Sequence, residues 1–366
     1  MRVIKLERVP ETNKVSPFLV YYLILSVQVG IGALGFQRVI TKATGYDAWI
    51  SIILSGFLIH FIIFIIYKIL ELGNGDFTSA HQFILGKKFG GFLSSIFSLY
   101  YIFAAAIILR TYIEVIQVWM FQDLKAFWFS ALVLMLVIYI LYGGFRTITG
   151  VSFFGTILPA YLIFTFLFTI PYSDIHNLFP IFGHSWFEIL EGVFRMSLSV
   201  IGFETLLFYY PMIKEPNKSK KWAHYAVITS TSVYLFLALL SFTYFTENQI
   251  QSTIWATLTM WKVVHFPFVE RFEYIGIANW ALIVLPNICI TLWCSSITLK
   301  RVYRLKQKYG IIIVSTACLA IIPFINSRSK IDMANDLLSK FGFFYVFVYI
   351  PLLLVLLLIV RKVKKL

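Results

Sequence analysis

The sequence predicts an all-α integral membrane protein of ten transmembrane helices, arranged as two inverted five-helix repeats with broken helices 1 and 6. Three observations support this prediction. Hydrophobic residues fill 60% of the 366 positions and charged residues only 13%, against about 25% charged in a typical soluble domain. The apolar residues fall in ten runs of roughly membrane-spanning length. Glycines interrupt the first and the sixth of these runs.

The ten apolar runs leave little of the chain for a soluble domain. A membrane-spanning helix needs about 20 mostly apolar residues. We therefore expect one integral membrane domain over residues 1–366, with one repeat at 15–170 and the other at 192–360. The runs are 15–37, 48–67, 90–109, 126–144, 147–170, 192–213, 222–246, 274–299, 309–325 and 341–360.

The N-terminal segment and the cysteines add two expectations. The first apolar run is full length and follows a polar segment, so we expect no cleavable signal peptide. Cys289, Cys294 and Cys318 all lie inside predicted spans. An odd number of thiols within spans argues against a disulfide framework, so we interpret them as packing residues.

The net charge of +14 is distributed as a membrane topology requires. With the N-terminus inside, 21 of the 31 Lys and Arg residues fall in inner segments and 7 in outer ones. Cytoplasmic loops carry such an excess. We therefore expect both termini in the cytoplasm and contact between the basic segments and anionic membrane lipid. The sequence has no nucleic-acid motif, and we expect no nucleic-acid partner.

Two segments between the runs have the composition of surface structures. Residues 74–92 alternate polar and apolar positions, which predicts a short interfacial helix with Phe83, Ile84 and Phe89 on one face. Residues 248–268 are rich in aromatic side chains but too polar to span. We expect them to form a lid along the outer surface.

The glycines of the first and sixth runs predict paired helix breaks. Gly30, Gly32 and Gly35 fall in "QVGIGALGF", and Gly202 precedes Glu204 in "SVIGFETLLFYYP". Small residues in one membrane helix more often permit close packing. These two runs, however, are corresponding members of two oppositely oriented halves, and matched interruptions of this kind indicate a transporter-type binding site. Freed backbone groups survive in a bilayer only where they line a cavity or bind something.

Two facing breaks suit a zwitterion such as an amino acid. The N-terminal end of a half-helix attracts a carboxylate, and the C-terminal end attracts an ammonium group. We expect the carboxylate at the first break, the amine at the sixth, and apolar walls from the third and eighth runs. The predicted ligand-binding residues are Gly30, Gly32, Ala33, Leu34, Tyr100, Tyr101, Val200, Ile201, Gly202, Phe203, Glu204, Ala281 and Leu285.

Charged residues inside the runs are costly and therefore candidates for function. Arg110 and Glu114 stand one helical turn apart, which favours an i,i+4 ion pair over a functional role. Arg271, beside Glu270 and Glu273, likewise favours a structural ion pair, whereas Arg195 leaves the structural and functional readings open. Glu204 follows the sixth break without a basic neighbour in its own helix, so we expect it to support the broken backbone or to act as a coupling switch. No catalytic set, metal-ligand spacing or phosphate loop is present, and we expect no enzyme, metal or cofactor.

The two breaks resemble those of the amino acid–polyamine–organocation superfamily, although Ile201 stands where its permeases prefer a small residue. Six further stretches, spread over about 240 residues, are "GYDAWIS", "ILGKKFGGFLSS", "LRTYIEVIQ", "NLFPIF", "GFETLLFYYPMIKEPNK" and "ERFEYIGIANWAL". In this order they resemble the B subunit of spore germinant receptors. Gln37 and "DLKAFW" replace a proline and a Thr-Pro common in that family.

The resemblance implies a permease-like nutrient sensor of the inner spore membrane. It would bind a small germinant between helices 1, 3, 6 and 8, trigger spore germination, and work with a larger membrane A subunit and a C-subunit lipoprotein. The alternative is an amino acid permease, proton-coupled or facilitative. Proton-coupled relatives can carry a lysine in helix 5, whereas run 147–170 is uncharged. Sodium-coupled relatives use a hydroxyl pair midway along helix 8, whereas Ser295 and Ser296 lie near its inner end. The paired breaks argue against a third reading, a purely structural anchor.

Overall fold

A computed structural model describes residues 9–73, 75–267 and 269–364, the side chain of Leu198 excepted. Within these residues the regular structure is helical, with two isolated β-bridges. The helices are α1a (Leu19–Gln28), α1b (Phe36–Thr44), α2 (Ala48–Leu72), α3 (Phe77–Trp119), α4 (Ala126–Tyr142), α5 (Phe145–Ile157), α6a (Trp186–Val200), α6b (Leu206–Tyr209), α7 (Lys220–Tyr244), α8 (Phe272–Tyr303), α9 (Gln307–Ile321), α10a (Arg328–Phe343) and α10b (Ile350–Val363).

The helices overlap all ten predicted apolar runs, and the all-α membrane fold is confirmed. In the described part of the chain, seven helical stretches are long and apolar enough to cross a membrane, and α1a and α4 are shorter apolar helices. α1a is short because the first break divides its run into two half-helices. The count of ten crossings and the inverted repeat remain predictions.

The two broken helices lie at the centre of the bundle. α3 packs along α8, α1a packs against α5 and α7, and α6a packs against α1b, α2 and α10a. Side chains such as Leu23, Phe203 and Phe208 are completely buried. Both breaks are therefore enclosed by protein, as a freed backbone at membrane depth requires.

Helix α3 begins with a short arm that the sequence predicted as an interfacial helix. Gly86 has φ +78° and ψ 170° and divides this arm from the long part of α3. Phe77 and His81 of the arm are completely buried, whereas Phe89 lies beyond the kink and is exposed. The prediction that Phe83, Ile84 and Phe89 share one face is wrong, because the chain changes direction at Gly86. Asn74, which opens the predicted segment, lies outside the described residues.

The predicted lid folds as two short helices, Glu247–Ser252 and Ala256–Met260, followed by a turn, Trp261–Val263. We call residues Glu247–Val263 the lid. Its buried Trp261 donates an indole hydrogen bond to Thr165 at 2.9 Å and stacks on Phe166. Thr257 donates to the Ala33 carbonyl at 2.8 Å. The lid is therefore anchored at the end of the bundle that carries α1b, hereafter the lid end. Phe268, the last residue of the predicted segment, lies outside the described residues.

The last membrane helix begins earlier than its apolar run. α10a starts at Arg328, not near residue 341, and the Ser327 side chain caps it by accepting the Lys330 N–H. Its first turns carry Asp332, Asp336 and other polar residues, so a hydropathy criterion excludes them. A π-helical segment, Phe344–Tyr349, joins α10a to α10b.

At the opposite end of the bundle, the segment before α1a is attached to the segment after α6b. The Val15 N–H donates to the Met212 carbonyl at 2.8 Å, and the Lys214 N–H donates to the Val15 carbonyl at 2.9 Å. We call this pair of bonds the main-chain bridge. It ties α1a to α6b, the halves of the two broken helices that lie farther from the lid.

Candidate functional site

The two breaks meet at a very close backbone approach. Gly202 has φ +121°, a conformation that residues with a side chain rarely adopt. A Cβ atom at this position would lie 2.9 Å from Cβ of Val27 in α1a. Gly32, in the first break, approaches α6a in the same way, since its Cβ would lie 3.1 Å from Cα of Ser199. Glycine is therefore required here by backbone conformation and by space.

Protein side chains satisfy several backbone groups that the breaks set free. Glu204 is 1% exposed, and its carboxylate accepts the Gly202 N–H at 2.6 Å. The Gln28 amide donates to the Val200 carbonyl at 3.0 Å. The hydrogen bond to Gly202 is a contact through which Glu204 can support the broken backbone, as the sequence predicted. The Val200 carbonyl, which was expected to receive a ligand amine, already has a donor.

A cavity of about 200 Å³ lies between the breaks. Apolar groups from α3 and polar groups from α8 and α10a face it, and the lid covers part of it. Its lining is Val27, Gly30, Ile31, Gly32, Gly35, Phe36, Arg38, Val39, Tyr100, Tyr101, Ala104, Ile107, Ile108, Thr111, Ser199, Ile201, Gly202, Glu204, Ile254, Trp255, Asn287, Thr291, Arg328, Asp332, Asn335 and Leu338.

Seven of the predicted ligand-binding residues line this cavity, namely Gly30, Gly32, Tyr100, Tyr101, Ile201, Gly202 and Glu204. Ala33, Leu34 and Phe203 are instead completely buried in the surrounding core, and Val200 faces Gln28. Ala281 and Leu285 also lie outside the lining. With about 3.6 residues per turn, both point away from the side of α8 on which Asn287 faces the cavity.

Sequence reasoning missed the polar part of the lining. Asn287 and Thr291 stand one turn apart on the cavity side of α8, and Arg328, Asp332 and Asn335 reach the cavity from α10a. The i,i+4 spacing of the first two inside an apolar run was an available signal. The other three precede the tenth apolar run, so hydropathy does not include them in a membrane helix, although α10a already begins at Arg328.

At the lid end, Arg110 and Glu114 each bond to groups outside the predicted i,i+4 pair. Glu114 of α3 accepts a hydrogen bond from Arg328 at 2.8 Å, and Arg328 also pairs with Asp332 at 2.7 Å. Arg110 donates instead to the Ile325 carbonyl at 2.7 Å and to Gln117 at 3.2 Å. The predicted Arg110–Glu114 pair is wrong, because both side chains find partners in the α9–α10a region and along α3. 

The remaining two charged candidates have local partners. Arg195 pairs with Glu191 one turn earlier in α6a, and Arg271 pairs with Glu273 at 2.9 Å. The Arg271 guanidinium also lies 4.1 Å from the centre of the Tyr274 ring. Both arginines therefore have the ion-pair partners that a structural role requires.

The cavity is open at the lid end and closed at the other. It reaches Val39, which is 43% exposed, beside Arg38 and Trp255. On the side away from the lid, Tyr101 packs against the rings of Phe208 and Tyr345, which are both completely buried. These aromatic rings separate the cavity from the opposite end of the bundle. Arg301 and Asp76, 3.4 Å apart, lie on that closed side. The exposed residues of the described lining, Val39, Ile254 and Asp332, all lie at the lid end, so this is the end from which a solute could reach the cavity.

Solved structures with a similar fold are transporters. A Na⁺-coupled sialic acid symporter, substrate-bound and outward-open, matches with a TM-score of 0.67 at 15% identity over 90% of this chain and 77% of that one. MhsT in complex with L-phenylalanine matches with a TM-score of 0.60 at 12% identity over 94% and 98%. At such identities the likeness concerns the fold alone. Together with the cavity between two broken helices, it defines a permease-like membrane protein.

Sequence relatives then narrow this class. The family model of the spore germination proteins matches residues 14–332. The chain is 43% identical to spore germination protein GerQB of Bacillus cereus over 95% of this chain and 97% of that protein. It is 22% identical to spore germination protein A2 of Bacillus subtilis (strain 168) over 96% of both. The chain belongs to the spore germination protein family and is a membrane subunit of a germinant receptor. The resemblance drawn from its motifs is confirmed.

Proposed function

We propose that the cavity between the two breaks is the germinant site and that its occupancy is the signal this subunit passes on. The observation that carries the proposal is that both breaks line one cavity of about 200 Å³. Matched breaks at membrane depth are the sites at which permease-like folds hold their substrates. The subunit would sense its ligand with the machinery that a transporter uses for recognition.

The lining suits a small ligand with a polar and an apolar part. Asn287, Thr291 and Glu204 supply polar groups on one side, and Tyr100 and Ile107 supply apolar surface on another. An amino acid has both kinds of group. The α1 and α6 breaks would hold its polar end, and α3 would contact its side chain.

We place the protein in the inner spore membrane, with both termini in the cytoplasm and with an A subunit and a C-subunit lipoprotein as partners. The charge distribution supports the orientation, because basic residues concentrate in the segments assigned to the cytoplasm. Family membership supports the partners. In this orientation the cavity opens away from the cytoplasm, toward arriving nutrients.

The substitution Gly32→Val tests the site. The valine side chain would be forced against Ser199, because even a Cβ atom would lie 3.0 Å from the Ser199 hydroxyl. We expect spores carrying this variant to lose the germinant response while the protein still accumulates, measured as a dose–response curve beside an immunoblot. Gly150→Val is the matched control, since a Cβ at Gly150 meets nothing within 4 Å. A wild-type dose–response with Gly32→Val would remove the first break from the site.

An amino acid permease is the second candidate, and the fold shared with transporters favours it. Uptake of labelled amino acids, nucleosides and sugars into proteoliposomes distinguishes the two. A sensor binds its ligand without accumulating it in the vesicle lumen. Uptake that Gly32→Val abolishes would identify a transporter with the same site.

A further inference from the structure

The C-terminal ends of two half-helices converge at the breaks. α1a ends at Gln28 and α6a ends at Val200, and the side chain of the first residue reaches the carbonyl of the second. A helix C-terminus carries about half a negative elementary charge. Two such ends face one another here at membrane depth. In cation-coupled transporters, half-helix C-termini and unwound carbonyls of this kind coordinate the coupling cation.

Neutral side-chain donors already occupy these carbonyls. Tyr234 of α7 is completely buried, and its hydroxyl oxygen lies 2.8 Å from the Gln28 carbonyl and 2.7 Å from the Ser199 carbonyl. One phenolic proton therefore bridges the ends of both half-helices. Gln28 donates its amide to Val200, and Ser230 of α7 donates to the Gln28 side-chain oxygen at 2.9 Å. Because the Gln28 oxygen accepts from Ser230, the amide nitrogen is the end that faces Val200.

Asn287 connects the same region to α8. Its side-chain nitrogen lies 2.8 Å from the Ser26 carbonyl, in the last turn of α1a, and 2.8 Å from the Ile283 carbonyl. Both amide protons are thereby used, and Asn287 is only 3% exposed. A monovalent cation between α1a and α8 would need these oxygen atoms as ligands. An amide nitrogen at this position donates to the Ser26 carbonyl and adds no net charge.

We propose that Gln28, Tyr234 and Asn287 form a neutral clasp that takes the place of a coupling cation between α1, α6, α7 and α8. The clasp holds the breaks in their binding geometry without Na⁺, so neither the fold nor ligand binding depends on that ion. The three residues are positioning residues, since they act on the backbone of the breaks. The argument stands on the hydrogen bonds around the breaks, and only the ligand-binding readout rests on the proposed function.

The test replaces a donor of the clasp by an acceptor. Asn287→Asp puts a carboxylate beside the Ser26 and Ile283 carbonyls, which makes a set of oxygen ligands for Na⁺. The thermal midpoint of the purified protein is measured in NaCl and in choline chloride at equal ionic strength, without germinant. We expect the wild-type midpoint to be the same in both salts. We expect the Asn287→Asp midpoint to fall in choline chloride and to rise with the logarithm of the Na⁺ concentration.

Asn279→Asp is the matched control, because Asn279 lies on the same helix and donates to the Ile275 carbonyl of its own helix. It should show no preference for Na⁺. A second variant, Tyr234→Phe, removes the proton shared by two carbonyls and should lower the midpoint more than Tyr21→Phe, whose hydroxyl donates to the side chain of Thr229. Na⁺ should restore part of the thermal midpoint that Tyr234→Phe loses. 

Two results would overturn the clasp. One is a wild-type midpoint that rises in Na⁺ but not in choline. The other is an equal salt response of Asn287→Asp and Asn279→Asp together with no Na⁺ recovery of Tyr234→Phe. Binding of labelled amino acids, nucleosides and sugars, measured in the same salts, separates this proposal from the proposed function. A wild-type protein that binds none of them in either salt, but keeps its salt-independent midpoint, contradicts the ligand site and leaves the clasp standing.

Discussion

The carboxylate of Glu204 allows a quantitative prediction about the sixth-helix break. Its side chain is 1% exposed and accepts the Gly202 N–H at 2.6 Å. Glu204→Ala removes the acceptor and leaves this donor unpaired in the protein interior, which costs about 1–3 kcal/mol. Glu204→Gln keeps an oxygen atom at the same distance along the side chain, so most of this cost is avoided. The two variants separate the hydrogen bond from the charge.

We expect Glu204→Gln to keep a reduced germinant response and Glu204→Ala to show little or none. The assay is the germination dose–response of spores carrying each variant, beside the thermal midpoint of the purified protein. The Ala variant should be less stable than the Gln variant, because it alone lacks the acceptor. Ligand binding can persist in the Ala variant while signalling is lost, since the break would no longer be held in one arrangement.

Glu191→Ala is the control for Glu204→Ala on the same broken helix. Glu191 is exposed and pairs with Arg195 of its own helix, and such a surface pair contributes about 0–1 kcal/mol. Its dose–response should match the wild type. The reasoning about Glu204 is refuted if the Ala variant responds normally while the Gln variant is inactive. The ionised carboxylate itself would then be the functional group, and proton-coupled transport would become the leading reading.

Two further predictions concern the break geometry and the topology. Gly202→Ala forces a side chain into a strained conformation and against Val27, so it should lower stability by about 1–3 kcal/mol; Gly150→Ala, in open space, should leave the thermal midpoint nearly unchanged. Single cysteines at Lys125 and Lys214, labelled with an impermeant reagent, should react from opposite sides of the membrane. Reaction of both from one side would contradict the predicted orientation.

The sequence predicted the parts of the fold that depend on local composition. The apolar helices follow from hydropathy, and the helix breaks follow from the glycines at 30, 32 and 202. Both signals are local in the sequence. The partners of Arg110 and Glu114 could not be predicted in this way. Local spacing suggested an intrahelical pair, whereas Glu114 meets Arg328, which lies more than half the chain away in sequence. Pairing between helices depends on packing, and one sequence does not reveal it.

The polar lining of the cavity was missed for a related reason. A hydropathy threshold treats the first turns of α10a as a loop, so Arg328 counts as an outer-segment residue in the sequence and not as part of the cavity lining. On α8, the predicted wall residues Ala281 and Leu285 lie on a different face of the helix from Asn287 and outside the lining. The position of Asn287, by contrast, depends on a rotation of α8 that only the packed bundle specifies.

The main-chain bridge at the end opposite the lid constrains the chain differently from the glycines of the breaks. It joins Val15 to Met212 and Lys214 through N–H and C=O groups alone. Any residue except proline can supply these groups at position 15. The bonds therefore place no demand on the side chain at position 15, and the burial of Val15 in the apolar core sets that demand instead. A change of side chain there would act on core packing and leave the link between α1a and α6b in place.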